Sequence, residues 1–244
     1  MSLDAVDMSE QREADPTRMS GGQQQRVAIA GMLAMNPEIL VLDEPTAMLD
    51  PQGRADIMHI LDELQQHGTT IILVTHHRDE FVNADRIIRL DNGRIVQSAR
   101  GDTASIPEMD ESDTAQEDNP IAKSSIANGA SKPASAVPII EIHNLIYQYP
   151  NSSKPVLDKL SITINEGETV AITGHNGAGK TTLARLLCAL EQPQSGSITV
   201  NTIPVARQRA NGNMQSLKRA DREKLRATIG YVMQHPDVSF SPKP

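Results

Sequence analysis

Two short apolar runs stand out in the first hundred residues, with a helix-like pattern between them. The runs cover 39–42 and 70–74, and both are continuous and rich in β-branched residues. Such runs are typical of strands buried on both faces of a parallel sheet. The segment 51–66 carries apolar residues at helical spacing and stops before Gly68. The pattern therefore predicts a strand, a helix and a second strand, which form a βαβ unit and an α/β fold class.

Other patterned segments flank this unit. A helix is predicted at 22–35, and the runs 87–90 and 94–96, joined by Asp91-Asn92-Gly93, predict a β-hairpin. The last third of the chain predicts antiparallel strands at 139–149 and 160–164, a buried strand at 169–173, a helix at 180–190 and a final strand at 228–233.

The segment 101–137 separates the two patterned regions. Seven acidic residues and no Lys or Arg lie between 101 and 120, and Ser, Ala and Pro dominate the rest. This composition cannot bury a core and predicts a flexible linker. We therefore expect three parts, which are 1–100, the linker 101–137, and 138–244.

Charge and composition narrow the function classes. The net charge of −8 argues against nucleic acid as a partner. The single cysteine, Cys188, cannot form an internal disulfide, which fits a reducing compartment. No apolar run reaches the ~20 residues that span a bilayer. Any role at a membrane is therefore expected to come through a partner.

The most specific motif is G-H-N-G-A-G-K-T at 174–181, which follows a predicted strand and opens a predicted helix. Glycines let the backbone curl so that several N–H groups face one anion, and the helix start adds positive potential. Lys180 is expected to reach the β- and γ-phosphates, and the Thr181 hydroxyl to bind Mg²⁺. The expected nucleotide-binding residues of this loop are Gly174, Asn176, Gly177, Gly179, Lys180, Thr181 and Thr182.

A second group of motifs lies in the first part of the chain. Ser20-Gly21-Gly22-Gln23 opens a predicted helix, Asp43-Glu44 ends the first strand, and His76 follows the second strand. An Asp at a strand end can hold Mg²⁺, and the next carboxylate can orient or deprotonate a water molecule. The spacing of these motifs makes a chance match remote.

Together these motifs resemble the ATPase domain of ABC transporters, over about 3–97 and 139–240. The resemblance implies a RecA-like P-loop NTPase core with an antiparallel β subdomain and a helical subdomain largely missing. It implies ATP and Mg²⁺ as ligands and ATP hydrolysis as the activity. It implies that Asp43 is a metal ligand, Glu44 the catalytic residue and His76 the switch residue. It also implies that Tyr149 stacks on adenine, with Tyr147 as the alternative, and that Gln234 contacts Mg²⁺ or water. The signature loop would consist of Ser20, Gly21, Gly22 and Gln23.

The order of the motifs is unusual for this family. A family domain runs from P-loop through Gln, signature and Asp-Glu to His, whereas this chain begins with the signature and ends after Gln234. The chain either joins the back half of one domain to the front half of the next, or is a circular permutation. The helix-like start at 3–8 and the end soon after Gln234 favour the fragment.

The same resemblance implies partners. Within the family, the motifs are similar to the ATPases of energy-coupling factor importers, which implies transmembrane importer subunits and a place at the cytoplasmic face of the membrane. Such domains pair head to tail, so a second ATPase domain is expected. Two alternatives remain, a fragment that only binds nucleotide and a soluble tandem ABC protein acting on ribosomes.

The two halves are also expected to combine when the chain folds. Pairing of strand 39–43 beside strand 169–173 would bury the apolar faces of both in one sheet. The linker is long enough to allow it, since an extended chain spans ~3.3 Å per residue.

Overall fold

A computed structural model of the chain describes residues 3, 6, 8–15, 18–81, 83–100, 137–209, 212–215 and 217–234. The α-helices in these ranges are α1 (Gly21–Ala34), α2 (Pro51–Gln66), α3 (Lys180–Leu187) and α4 (Arg219–Thr228). The strands are β1 (Ile39–Asp43), β2 (Thr70–Val74), β3 (Arg86–Asp91), β4 (Arg94–Arg100), β5 (Pro138–Tyr147), β6 (Leu157–Asn165), β7 (Thr169–Thr173), β8 (Ser195–Val200), β9 (Ile203–Gln208), β10 (Met214–Gln215) and β11 (Ile229–Val232). Short 3₁₀ turns cover Ser9–Gln11 and Arg78–Glu80.

One sheet combines strands from both parts of the chain, in the order β11-β1-β2-β7-β3-β4. All neighbours are parallel except β3 and β4, which form the predicted hairpin. The prediction of a single composite sheet is confirmed. The prediction that β1 lies directly beside β7 is wrong, because β2 lies between them. The helix α2 leads the chain back to β1, so β2 pairs with one edge of β1 and occupies the position predicted for β7. The strand β11 pairs with the other edge of β1.

The apolar runs form central strands because both of their faces are buried. All five residues of β1 and all five of β2 are buried. Alternate side chains point to opposite faces, as the pleat of a strand requires. Ile39, Val41, Ile72 and Val74 join one core cluster, while Leu40, Leu42, Ile71 and Leu73 join another with residues of α1 and α2.

A second, antiparallel sheet has the order β10-β9-β8-β5-β6. Its β5 and β6 pair as the alternating pattern predicts, whereas β8, β9 and β10 were not predicted. Apolar residues of this sheet share a core with α3 and with one face of the parallel sheet. The P-loop helix is therefore held between the two sheets.

One predicted helix ends earlier in the structure than expected. The helix α3 ends at Leu187 rather than 190, and Ala189 has a positive φ of 54°, which ends a helix. The predicted linker, except for its last residue, and half of the helix-like start 3–8 lie outside the described residues. Among the described residues, no helix combines the length and apolarity needed to cross a membrane.

Candidate functional site

The predicted motifs that follow β1, β2 and β7 lie at one edge of the parallel sheet. The strands β1, β2 and β7 are neighbours and run in the same direction, so their carboxyl ends meet. Asp43 is the last residue of β1 and Glu44 follows it, His76 follows β2, and the glycine-rich loop follows β7. Open α/β sheets bind ligands at this edge.

The loop that follows β7 curls because its glycines adopt backbone angles that other residues avoid. Gly174, Gly177 and Gly179 have φ values of 144°, 83° and 102°. A Cβ on Gly174 would lie 2.3 Å from the carbonyl oxygen of Leu90, which leaves no room for a side chain. The loop therefore depends on both its own glycines and the hairpin β3–β4 packed against it.

The side chain of Lys180 lies within this loop. Its Nζ donates hydrogen bonds to the carbonyl oxygens of Gly174, at 2.7 Å, and His175, at 3.2 Å. Burial lowers the pKa of Lys180, while the negative charges of Glu44 and Asp43 act in the opposite direction. The ammonium group is thus positioned at the centre of the loop, where an anionic ligand would meet it.

Asp43 contacts the P-loop helix directly. The Thr181 hydroxyl donates to Oδ1 of Asp43 at 3.1 Å, and the Tyr231 hydroxyl approaches Oδ2 at 3.4 Å. Burial raises the pKa of Asp43, and the hydrogen bond from Thr181 acts against this rise. Burial also raises the pKa of Tyr231. Sequence reasoning missed Tyr231, because an apolar strand with one tyrosine carries no catalytic signal.

The carboxylate of Glu44 is held by two of the predicted residues. Nε2 of Gln234 donates to Glu44 at 2.7 Å, and Nδ1 of His76 lies 3.3 Å from the other carboxylate oxygen. Glu44 has a positive φ of 49°, and its backbone N–H donates to the carbonyl oxygen of Val74 at 2.9 Å. In the described part of the chain, Gln234 therefore joins the Glu44 side of the site rather than Asp43 and Thr181.

The two candidate adenine-stacking residues differ in exposure. Tyr149 is 38% exposed, and its hydroxyl is 3.0 Å from that of Thr182 in the P-loop helix. Tyr147 is buried and donates to Glu191, and burial raises its pKa to about 12. Of the two tyrosines, Tyr149 is therefore the more accessible to a ligand. Asn176 is exposed, and its carbonyl oxygen lies 2.7 Å from Nδ1 of His175.

The signature residues lie in a separate place. Ser20 caps α1, and its exchange of hydrogen bonds with Gln23 forms a capping box. Ser20, Gly21, Gly22 and Gln23 line a cavity together with Met48, Leu49 and Asp50, which follow β1. No P-loop residue is among those that line it. The structure thus brings together the P-loop, Asp43, Glu44, His76 and Gln234, but not the signature.

Sequence reasoning also missed a buried polar cluster next to the site. Glu80 is 3% exposed, and its two carboxylate oxygens accept hydrogen bonds from the hydroxyls of Thr46 and Thr75. The threonines adjoin recognised motifs, but Glu80 lies in a charged segment, 78–80, that looks like an exposed turn. Its burial could be seen only in three dimensions.

The described residues contain no cluster of three or more His, Cys, Asp and Glu side chains arranged to hold a metal ion. Asp43 and Thr181 instead offer two oxygen atoms beside the P-loop. Oxygen donors suit Mg²⁺, which proteins often bind through one or two side chains together with substrate phosphates. The residues present therefore fit a Mg²⁺ ion that arrives with a nucleotide.

Comparison with known proteins gives relatives along the whole chain. A putative ABC transporter ATP-binding protein of Bifidobacterium longum is 47% identical over 97% of this chain and 33% of its own length. A putative ABC transporter ATP-binding protein of Enterococcus faecalis is 30% identical over 98% of this chain and 46% of its own. An energy-coupling factor transporter ATP-binding protein of Clostridium novyi is 53% identical over 39% of this chain and 34% of its own. The chain spans about a third to a half of the length of these curated relatives.

A solved structure and a family model also match parts of this chain. A solved dimeric bacterial ABC transporter cassette is 38% identical over 41% of this chain and 45% of its own, with a TM-score of 0.37. The sequence profile of the ABC transporter family matches residues 2–47 and 157–243, which is more than half of the chain. The chain therefore belongs to the ABC transporter family, whose ATP-binding cassettes are ATPases.

Proposed function

We propose that this chain binds and hydrolyses ATP as part of the ATPase of an ABC importer. The observation that supports this most directly is the convergence of four loops at one sheet edge. There, the Thr181 hydroxyl contacts Asp43 at 3.1 Å, and Gln234 contacts Glu44 at 2.7 Å. A phosphate-binding loop, a metal-binding carboxylate and a candidate general base are the parts that phosphoryl transfer to water requires.

Phosphate binding is assigned to the P-loop. Its backbone N–H groups and the start of α3 provide positive potential for the phosphates. The Nζ of Lys180 would exchange its bonds to the carbonyl oxygens of Gly174 and His175 for bonds to phosphate oxygens. Asp43 and Thr181 would hold Mg²⁺, which neutralises charge on the β- and γ-phosphates when bound.

Water activation is assigned to Glu44. Its carboxylate is held from one side by Gln234 and from the other by His76. A carboxylate fixed in this way can accept a hydrogen bond from a water molecule and orient it toward the γ-phosphate. In this proposal His76 would respond to the γ-phosphate, and Gln234 would contact the same water.

A second ATPase domain is proposed to complete the site. The signature residues Ser20, Gly21, Gly22 and Gln23 lie away from the P-loop of the same chain. In a head-to-tail pair, the signature of the partner domain would lie over Lys180 of this chain. The signature of this chain would lie over the P-loop of the partner domain. The 261-residue alignment with a relative about three times as long supports a tandem protein, with 1–100 and 138–244 as halves of successive domains and 101–137 as the linker.

Coupling to a membrane partner is the finer part of the proposal. Relatives named as energy-coupling factor transporter ATP-binding proteins match about two-fifths of this chain at 53% identity. On that basis we assign the ATPase to an energy-coupling factor importer, where it would act on transmembrane subunits at the cytoplasmic face of the membrane. The net charge of −8 fits a function without nucleic acid.

The rival proposal is a chain that binds nucleotide without hydrolysing it. The observation that favours it is the separation of the signature cavity from the P-loop within one chain. Under this proposal ATP would bind to the loop around Lys180, but turnover would be absent even at high protein concentration.

The two proposals are separated by measuring ATP turnover for the chain and for Glu44→Gln. Loss of a general base lowers turnover by about 10²- to 10⁴-fold, so a drop of at least 10²-fold is expected. Glu63→Gln, on the exposed face of α2, is the matched control and should retain turnover. Equal turnover in the chain and in Glu44→Gln would favour nucleotide binding alone, which Lys180→Ala would test by loss of bound ATP.

A further inference from the structure

A buried carboxylate joins the two loops that carry Glu44 and His76. Glu80 ends the 3₁₀ turn that follows His76, and only 3% of it is exposed. One of its carboxylate oxygens accepts a hydrogen bond from the Thr46 hydroxyl, and the other accepts one from the Thr75 hydroxyl at 2.5 Å. Both threonines are fully buried.

This arrangement is unusual for a glutamate. Burying a carboxylate is unfavourable unless hydrogen bonds replace those it made to water. Among the described residues, the hydrogen bonds to the Glu80 carboxylate come from two hydroxyls on different loops rather than from one cationic side chain. The carboxylate is therefore a connection between two segments that are far apart in sequence.

The threonines lie next to the residues that the proposed hydrolysis requires. Thr46 is two positions after Glu44, and Thr75 directly precedes His76. The Thr75 hydroxyl also accepts a hydrogen bond from the backbone N–H of His77 at 3.0 Å, which fixes the loop just after His76. One buried group thus restrains the backbone on both sides of the 3.3 Å contact between Glu44 and His76.

The conformation of Glu44 explains why a restraint is needed. Its φ of 49° lies in the left-handed region, which costs free energy for a residue other than glycine. Such a conformation persists only where neighbouring contacts hold it. The bond from Thr46 to Glu80 anchors the loop just after Glu44, and the bond from the Glu44 N–H to Val74 anchors it just before.

We propose that Glu80 is a positioning residue for ATP hydrolysis. Through Thr46 and Thr75 it fixes the positions of Glu44 and His76 relative to each other. The proposal rests on the proposed hydrolytic function of the site. Glu80 itself touches neither nucleotide nor water in this role. Its loss should lower the rate of the chemical step while leaving ATP binding by the P-loop intact.

The chain contains a matched control for a buried carboxylate. Glu168 is 1% exposed and pairs with Arg86 at 2.9 Å. It directly precedes β7, at the opposite end of that strand from the P-loop. Glu168→Gln should therefore disturb folding as Glu80→Gln does, without reaching the site.

The experiment compares the unaltered chain with Glu80→Gln, Thr46→Val and Glu168→Gln. The kcat and KM for ATP are measured per folded molecule, and hydrogen exchange is followed in peptides covering 43–50 and 75–81. We expect Glu80→Gln and Thr46→Val to lower kcat at least tenfold with KM changed less than threefold, and to speed exchange in both peptides. Glu168→Gln should change kcat less than twofold and leave both peptides protected.

Each outcome decides the proposal. Unchanged exchange in both peptides for Glu80→Gln overturns the connection, whatever the activity. Faster exchange with a kcat no lower than that of Glu168→Gln overturns its role in hydrolysis. If the unaltered chain has no turnover above Glu44→Gln, the proposed function fails, whereas the exchange data still decide whether Glu80 joins the two loops.

Discussion

At the scale of the residue, Asp43 is a buried carboxyl group whose ionisation opposes folding. It is 2% exposed, and burial raises its pKa above the ordinary 3.8. A carboxyl group whose pKa is raised on folding contributes stability that is fully present below the unfolded pKa. That contribution is lost as the pH rises through the folded pKa. Above its folded pKa, the ionised Asp43 therefore disfavours the folded state until a cation compensates for its charge.

Replacement of Asp43 should separate stability from function. We expect Asp43→Asn to raise the Tm of the nucleotide-free protein at pH 7.5, with the gain shrinking toward pH 4. The variant should lose the additional stabilisation that Mg²⁺ gives to ATP binding. Thermal unfolding at both pH values measures this, with Glu141→Gln, whose side chain is 46% exposed, as the control. A lower Tm for Asp43→Asn at pH 7.5 would contradict the expectation.

The two tyrosines near the P-loop give a second residue-scale prediction. Tyr149 is exposed, whereas the ring of Tyr147 is buried and its hydroxyl bonds to Glu191. Stacking on a nucleobase is worth about 1–3 kcal/mol, so Tyr149→Ala should weaken ATP binding roughly tenfold. Tyr147→Phe keeps the buried ring and should leave affinity unchanged. Titration calorimetry with ATP checks both, and a larger loss in Tyr147→Phe would reverse the assignment.

At the scale of the element, the sequence predicted those strands and helices whose buried positions follow a regular pattern. The strands β1 and β2 and the helix α2 have nearly the predicted bounds, because their apolar positions reflect one or two buried faces. The strands β8 and β9 were missed, since their buried residues do not alternate strictly with less buried ones along the whole strand. The strand β8 pairs with β5, which is far away in sequence, and β9 joins the sheet through β8.

The turn of the β3–β4 hairpin allows a test at this scale. Gly93 has a φ of 75°, and a Cβ there would lie 2.2 Å from the carbonyl oxygen of Val156. Its N–H donates to Ala178 in the P-loop, and its carbonyl oxygen accepts from Asp158. We expect Gly93→Ala to lower the free energy of unfolding by about 2 kcal/mol or more, from strain and displaced backbone together.

The control for this change is another glycine. Gly31 lies within α1 and has no heavy atom within 4 Å of a built Cβ. Gly31→Ala should therefore raise the free energy of unfolding by about 0.5–1 kcal/mol, since alanine is the better helix former. Urea unfolding measures both variants. Similar effects in the two variants would show that the Gly93 turn is not held against the P-loop.

At the scale of the whole molecule, the parallel sheet joins the two parts of the chain. The strands β1, β2 and β3 come from the first part, and β7 and β11 from the second. Three pairings connect the parts, which are β1 with β11, β2 with β7, and β3 with β7. The buried apolar faces of these strands belong to shared core clusters. We therefore expect the fold to persist when the backbone is cut between residues 100 and 137.

Cleavage between the parts tests this conclusion. A protease site inserted between 101 and 137 and then cut should leave two pieces that elute together as one species at the mass of the whole chain. Burial of about 25 cal/mol per Å² of apolar surface along three strand pairs opposes their separation. The uncut protein with the same insertion is the control. Pieces that separate without denaturant would contradict the composite sheet.

The sequence by itself determined the local chemistry of this protein. The glycines and Lys180 of the P-loop, the Asp43-Glu44 pair and the central apolar strands can be read from the chain, because each depends on neighbouring residues and on periodicity. Only the tertiary structure decided that β2 lies between β1 and β7, and that Glu80 joins Thr46 to Thr75. It also decided that the signature lies apart from the P-loop. These features depend on contacts between distant segments, which are set by how the whole chain buries its apolar surface.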